Sequence, residues 1–271
     1  MLVSATVHRE LALALSLADA ADAITMQHFR AAALSIRTKS DHSPVSEADE
    51  AAERAIREIL QRERPDDGIV GEEYGESQRS ARRWIIDPID ATGNYVRGVP
   101  VFATLIALQE QEQPVVGVVS APAMKKRWWA TRGEGAFSNG ERLRVSDVSS
   151  VGESFVGYDT LKDFTPLGLE PRFLSLIRDC GRSRGFGDFW AHMLVAEGAI
   201  DIAVRAEWVD AAVASNATAT GRSRNRRVEF LIPRPRGGSR RDGSRSSAST
   251  AWASRSKSML PSTCHRLGPI C

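Results

Sequence analysis

The chain has 271 residues and a mass of 29.6 kDa, enough for one large or two moderate domains with a substantial core. Hydrophobic residues make up 42% and charged residues 26%, ordinary proportions that exclude wholesale disorder, and no apolar run approaches the roughly 18–20 residues of a membrane-spanning helix. The formal net charge of +2 hides an asymmetry: residues 215–271 carry eleven Arg and one Lys against Glu229 and Asp242, a net of +10, while residues 1–214 carry 24 basic and 32 acidic side chains, a net of −8. An acidic body and a basic tail call for separate readings.

In chain order, residues 8–33 read as a helix dense in Leu and Ala with no Gly or Pro. Its apolar stretch Leu11–Ala18 is preceded by His8, Arg9 and Glu10 and followed by no small-residue cleavage site, so an amphipathic first helix is expected rather than a secretion signal. A turn-rich stretch, Thr38 to Pro44, leads to a second helix over about 46–62, with Ser46 and Asp49 placed as a capping pair. Short buried strands are predicted at Ile69–Gly71 and Trp84–Ile86, then at Val101–Leu108 and Val115–Ser120 with Gln111–Pro114 as the turn between them. Arg127–Ala130 and Gly135–Ser138 continue the pattern, and Asn139-Gly140 is a hairpin turn signal. Helices near Pro171–Cys180 and Phe189–Gly198 and a strand at Ile200–Val204 complete it. The mixture argues for α+β architecture. Division is expected into an α+β N-terminal part over 1–140, an α/β C-terminal part over 141–214, and a tail over 215–271 that is disordered on composition. Three cysteines, at 180, 264 and 271, match neither a metal spacing nor a disulfide framework, which fits a reducing cytoplasm.

The chemistry concentrates in Trp84-Ile85-Ile86-Asp87-Pro88-Ile89-Asp90-Ala91-Thr92-Gly93-Asn94-Tyr95. A buried strand that delivers two carboxylates is a poor way to build a core, because each buried ionised carboxylate costs several kcal/mol unless paired and the two repel. A hard divalent cation with oxygen ligands relieves both penalties. Thr92 adds a hydroxyl, and the turn after it could open a helix whose amides face an anion. With Glu72 and Glu73 upstream, and Asp41 and Asp49 flanking Ser43-Pro44-Val45-Ser46, six carboxylates gather at element ends, a pattern suited to metal-assisted phosphoester hydrolysis.

These segments resemble the inositol monophosphatase family: Gly71-Glu72-Glu73, the run Asp87 to Tyr95, Lys39 through Asp49, Val99-Pro100, Gly117 to Pro122 and Arg132 to Phe137. The match covers roughly three quarters of the chain and fades near residue 205. Val96 to Pro100 and Lys126 to Ala130 look most like the bacterial histidinol-phosphate phosphatase branch. The resemblance implies a layered α/β sandwich of the sugar-phosphatase type, here with an incomplete C-terminal part, and Mg²⁺ as cofactor. By the same resemblance, Glu72, Asp87, the carbonyl of Ile89 and Asp90 would hold metal. Glu72 and Thr92 would orient the attacking water, amides near Ala91 and Thr92 would bind phosphate, and Asp49 and Asp41 would sit just outside. The implied reaction is conversion of L-histidinol phosphate to L-histidinol in histidine biosynthesis, with inositol-1-phosphate as the alternative substrate. The implied partners are a small phosphorylated substrate and a possible homodimer, with no membrane and no nucleic acid.

The chain also departs from the family. Ala91 stands where the family has glycine, so a methyl group meets a backbone expected to approach phosphate, and Gly93 replaces a larger residue. The family's closing Trp-Asp-x-Ala-Ala motif is met only by Trp208-Val209-Asp210-Ala211-Ala212, one residue out of register, with Asp210 offered as the last metal ligand. Beyond it nothing family-like follows. The switch to Arg/Ser-rich chain reads as a shifted reading frame, a hypothesis that translation of the neighbouring frame tests, and an impaired remnant of a phosphatase is the reading that follows from it.

The remaining features have plain explanations beside functional ones. Trp128 and Trp129 are expected in packing, and His192 as an ordinary helix histidine. Asp188 is either a substrate contact or a helix N-cap; with Glu207 it leans towards a cationic substrate. The tail could be taken for a nucleic-acid binder, yet it lacks interleaved aromatics, and out-of-frame translation accounts for its composition.

Overall fold

The computed structural model describes residues 2–31, 35–38 and 44–205, which fall into two compact units. Asp41, Glu207, Asp210 and the tail lie outside the described residues.

The first unit comprises described residues up to Asp147 together with Phe186–Asp201. Helix α1 (Leu2–His28) starts six residues before the predicted helix and stops five residues short of its expected end. It stops where tertiary contacts take over: Phe29 packs on Tyr95 and Phe102. Arg30 turns to φ 62° and gives its guanidinium to the Gly98 carbonyl at 2.8 and 3.0 Å. Strands β1 (Ile36–Thr38) and β2 (Pro44–Ser46) form an antiparallel pair, so part of the predicted turn region is extended. Helix α2 (Glu47–Glu63) follows at once, with the Ser46 amide and hydroxyl both donating to Asp49 Oδ2 at 2.9 and 2.6 Å. The buried stripe of α2 is Ala48, Asp49, Ala52, Glu53, Ile56 and Leu60, a helical face on which two carboxylates take core positions.

The main sheet contains β3 (Gly68–Gly71), β4 (Gly75–Glu76), β5 (Arg82–Asp90), then, after the short helix α3 (Thr92–Val96), β6 (Ala103–Glu110), β7 (Gln113–Ala121), β8 (Lys126–Thr131), β9 (Gly135–Ser138) and β10 (Glu141–Arg142). Their spatial order is β10-β9-β8-β7-β6-β5-β3-β4. Only β3 and β5 pair in parallel; the other neighbours are antiparallel. At the β9–β10 hairpin Asn139 and Gly140 take φ 47° and 93°, as expected of Asn-Gly in a two-residue turn. Ala14, Leu17, Ala18 and Ala21 of α1 and Ala52, Ile56 and Leu60 of α2 pack against Trp84, Ile86, Ile106, Leu108, Val116 and Val118. On the other set of alternating side chains, Ala103, Val119, Ala121 and Trp128 receive Phe189 and Met193, a layering that produces the expected α+β sandwich. Trp128 is a core residue whose indole donates to Glu197 Oε1 at 2.6 Å, and Trp129 stacks on Phe137.

The second unit comprises residues 148–185 and, among the described residues, 202–205. Strand β11 (Phe155–Tyr158) lies between β12 (Arg182–Gly185) and β13 (Ile202–Val204), parallel to both. Helix α4 (Glu170–Asp179) links β11 to β12, and Phe173 stacks on Phe164 beside it. Between β12 and β13 the chain forms α5 (Asp188–Ala196), which belongs to the first unit.

Candidate active site

Strand β5 runs beyond the predicted Trp84–Ile86 segment, through Pro88 to Asp90, and its pairing with β6 shifts register between Asp87 and Asp90. Residues three apart on a regular strand point to opposite faces. Pro88 cannot donate to the ladder, its carbonyl instead accepts the Thr104 hydroxyl at 2.8 Å, and the irregularity brings Asp87 and Asp90 to one pocket. That pocket, about 250 Å³, is lined by Glu72, Asp87, Ile89, Asp90, Ala91, Thr92, Gly93, Asn94 and Asp188.

Each lining group is held from a different direction. Glu72 leaves the end of β3, with its amide donating to the Ile86 carbonyl at 3.1 Å. The Thr92 hydroxyl donates to the Ile89 carbonyl at 2.9 Å and stands 3.4 Å from Asp49 Oδ1. Asp90 Oδ2 accepts the Phe189 amide at 2.7 Å. Gly187 occupies the N-cap of α5, so Asp188 is the first residue inside the helix, at φ 40°. Asp188 is therefore not the N-cap; an Asp90 oxygen serves the helix start and leaves Asp188 on the pocket wall.

The electrostatics of Asp87 are the most informative feature. Burial first, then the charges of Glu72 and Asp90, a hydrogen bond with Glu72, and the charge of Asp49 push its carboxyl well above the ordinary carboxylate range. Its Oδ1 is sealed from solvent with no hydrogen-bond partner among the described residues. Those residues hold no closed cage of three His, Cys, Asp or Glu side chains ready for a metal ion. The residues present nonetheless fit a hard divalent cation: an all-oxygen donor set, repelling carboxylates and an orphaned buried carboxylate oxygen.

Ala91 lies in the left-handed region, φ 67° and ψ 44°, where a non-glycine residue is strained by roughly 1–2 kcal/mol. The backbone thus takes the conformation suited to glycine with a methyl group in place. Gly93 has nothing within 4 Å of where a Cβ would sit, so its lack of a side chain is not imposed by crowding.

Of the residues singled out from sequence, Glu72, Asp87, Ile89, Asp90, Ala91, Thr92 and Asp188 share this pocket. Asp49 lies fully buried behind Thr92. Asp41, Glu207 and Asp210 fall outside the described residues. Glu53 was missed, although a carboxylate one turn after Asp49, in register with Ile56 and Leu60, was a visible exception to an apolar stripe.

The sequence model of the inositol monophosphatase family matches residues 7–214. The chain belongs to the inositol monophosphatase family. Within it, the chain is 51% identical over 207 residues to a histidinol-phosphatase of Streptomyces coelicolor, covering 73% of this chain and 78% of that one. It is 50% identical to a histidinol-phosphatase of Mycobacterium tuberculosis, covering 72% and 78%. Among solved structures, an inositol monophosphatase from Zymomonas mobilis superposes with a TM-score of 0.65 at 35% identity, covering 73% of this chain and 76% of that one. The resemblance read from the signature residues is borne out, with its lean towards the histidinol-phosphatase branch, and so are the expected fold and a phosphatase of this family. Residues 215–271 lie beyond the matched segment.

Proposed function

We propose that this chain hydrolyses a small phosphomonoester with Mg²⁺ as cofactor, and that L-histidinol phosphate is its substrate. The observation that carries the reading is Asp87: a carboxyl with one buried, orphaned oxygen, crowded by Glu72, Asp90 and Asp49, in a pocket that also contains the start of α3. Glu72, Asp87, the Ile89 carbonyl and Asp90 would hold the metal, with Asp210 as a further candidate ligand. Bound there, Mg²⁺ would neutralise the carboxylates and the phosphate and acidify the attacking water.

The chain's own groups do the positioning. Thr92, its hydroxyl proton directed at the Ile89 carbonyl, turns oxygen lone pairs towards a water that Glu72 also orients. Asp49 backs Thr92. Amides at Ala91 and Thr92 receive the phosphate oxygens, and the water attacks phosphorus in line with the departing alkoxide. Asp188, on the pocket wall, offers a negative charge to a cationic amine, as does Glu207 in this reading. The names and identities of the histidinol-phosphatase relatives support the same substrate. Inositol-1-phosphate is the second reading, favoured by a relative from Rhizobium meliloti named an inositol-1-monophosphatase, 42% identical over 129 residues.

The test is phosphate release from the two esters by the purified full chain, with and without millimolar Mg²⁺, beside Asp87→Asn. Metal-dependent release from histidinol phosphate that the substitution abolishes is the expected result. No release from a folded, monodisperse sample would leave a phosphatase-like remnant without catalysis.

A further inference from the structure

Glu53 is fully buried on α2, one helical turn after Asp49, and does not line the pocket. Its carboxylate accepts two consecutive backbone amides, Glu73 to Oε2 at 2.7 Å and Tyr74 to Oε1 at 3.2 Å. Those are the two peptide units that follow Glu72. On the other side, the Glu72 amide is tied to Ile86 on β5. Glu72 is thus clamped before and after its Cα, between the strand that carries Asp87 and the helix that carries Asp49.

Gly71 makes the clamp sterically feasible. A Cβ there would lie 1.9 Å from Glu53 Oε1, so only glycine admits the carboxylate beneath the turn. Arg57, four residues on, donates to Glu53 Oε1 at 2.7 Å and also to the Gly75 carbonyl. The buried carboxylate is therefore paired inside the protein, with Arg57 and the two backbone amides. An apolar side chain at this position would leave the Glu73 and Tyr74 amides and the Arg57 guanidinium without their acceptor. Two acceptors aimed at adjacent amides set the direction of the turn.

Resting on the metal-dependent reading above, we infer that Glu53, seated under Gly71, is a positioning residue that fixes the turn presenting Glu72 to the metal-holding carboxylates. Asp49 and Glu53 on one face of α2 then act as a ruler: the first backs Thr92, the second sets Glu72, and the helix fixes their separation. Groups that orient ligands at one remove typically change metal affinity or activity by about 10–100-fold when replaced.

The test uses the full chain, Glu53→Gln, and Gly71→Ala, which expels the same carboxylate from the other side. Three quantities are read: Mg²⁺ binding by calorimetry without substrate, amide hydrogen exchange over residues 71–76, and kcat and KM for histidinol phosphate. Both variants should bind Mg²⁺ about 10-fold more weakly, exchange about 10-fold faster over 71–76 with residues 82–90 still protected, and lose kcat by about 10-fold with little change in KM. Faster exchange with unchanged Mg²⁺ affinity would overturn the inference, since Glu53 would then only stabilise the turn. Global unfolding of both variants would overturn it too, because a positioning residue leaves the rest of the fold standing; if only Glu53→Gln unfolds, Gly71→Ala decides by the same criterion. A wild-type chain that neither binds Mg²⁺ nor releases phosphate would sink the phosphatase reading and this inference with it, and that result shows before any substitution is made.

Discussion

Asp90 Oδ2 accepts the backbone amide of Phe189 at 2.7 Å, across 99 residues of sequence. The bond joins the end of the aspartate-bearing strand β5 to the first turn of α5, so one carboxylate serves both the pocket and a helix start that would otherwise leave an amide unsatisfied. The same bond brings Asp188 to the pocket wall.

Loss of that cap should be measurable without any metal. Asp90→Ala is expected to be about 1 kcal/mol less stable in chelator than Asp90→Asn, which also removes the charge facing Asp87 but keeps an acceptor for the Phe189 amide. Urea melts of the two variants in EDTA test this. Equal midpoints would mean that α5 is held by Phe189 and Met193 packing alone.

The raised pKa of Asp87 has a pH consequence whose sign is fixed. Because the folded-state value lies above the unfolded one, the folded protein holds its proton more tightly. Stability is then favoured at low pH and declines as pH rises from about 4, the unfolded value, through the folded pKa. Relative to Asp87→Asn, metal-free wild type should therefore lose stability over that rise, and Mg²⁺ should restore it at neutral pH. Denaturant midpoints between pH 4 and 8, with and without Mg²⁺, check it; parallel curves for the two proteins in EDTA would contradict the prediction.

Ala91 is strained where glycine would not be. Ala91→Gly should raise stability by about 1 kcal/mol, since relief of the left-handed strain exceeds the added chain entropy of glycine. Removing the methyl group from the pocket lining should also raise kcat. Thermal unfolding and steady-state rates measure the two effects, and a fall in stability would show that the φ of Ala91 costs nothing.

Asp188 provides the test of substrate charge. Asn tolerates a positive φ well, so Asp188→Asn should preserve α5 while weakening binding of an amine-bearing phosphomonoester. A KM about 10-fold higher for histidinol phosphate, with inositol-1-phosphate little affected, is the expected split, in keeping with the 1.5–3 kcal/mol of a charge-assisted contact. Equal changes for both substrates would remove Asp188 from specificity.

Much of the candidate site was legible from residue order alone. The run from Asp87 to Thr92 and Gly71-Glu72 are local patterns of unusual composition, since adjacent carboxylates on apolar strands have few purely structural uses. The capping pair Ser46–Asp49 and the Asn139-Gly140 turn were legible for the same reason: short-range geometry decides them. The C-terminal end of helix α1 was misjudged because docking of Phe29 and Arg30 against Tyr95, Phe102 and Gly98, about 70 residues away, determines where it stops.

What composition and local spacing determined by themselves is the chemistry: oxygen donors of one charge and a hydroxyl beside them. What only the tertiary structure decided is their mutual placement. The register shift at Pro88 turns Asp87 and Asp90 to one side, the left-handed turn is imposed on Ala91, and Asp90 is committed to the amide of Phe189. Glu53, an unremarked charge in the sequence, becomes the clamp on Glu72. The register shift, the Glu53 clamp and the Asp90–Phe189 bond depend on contacts between segments 13 to 99 residues apart, and no short-range pattern carries the position of a partner that the chain reaches only after folding.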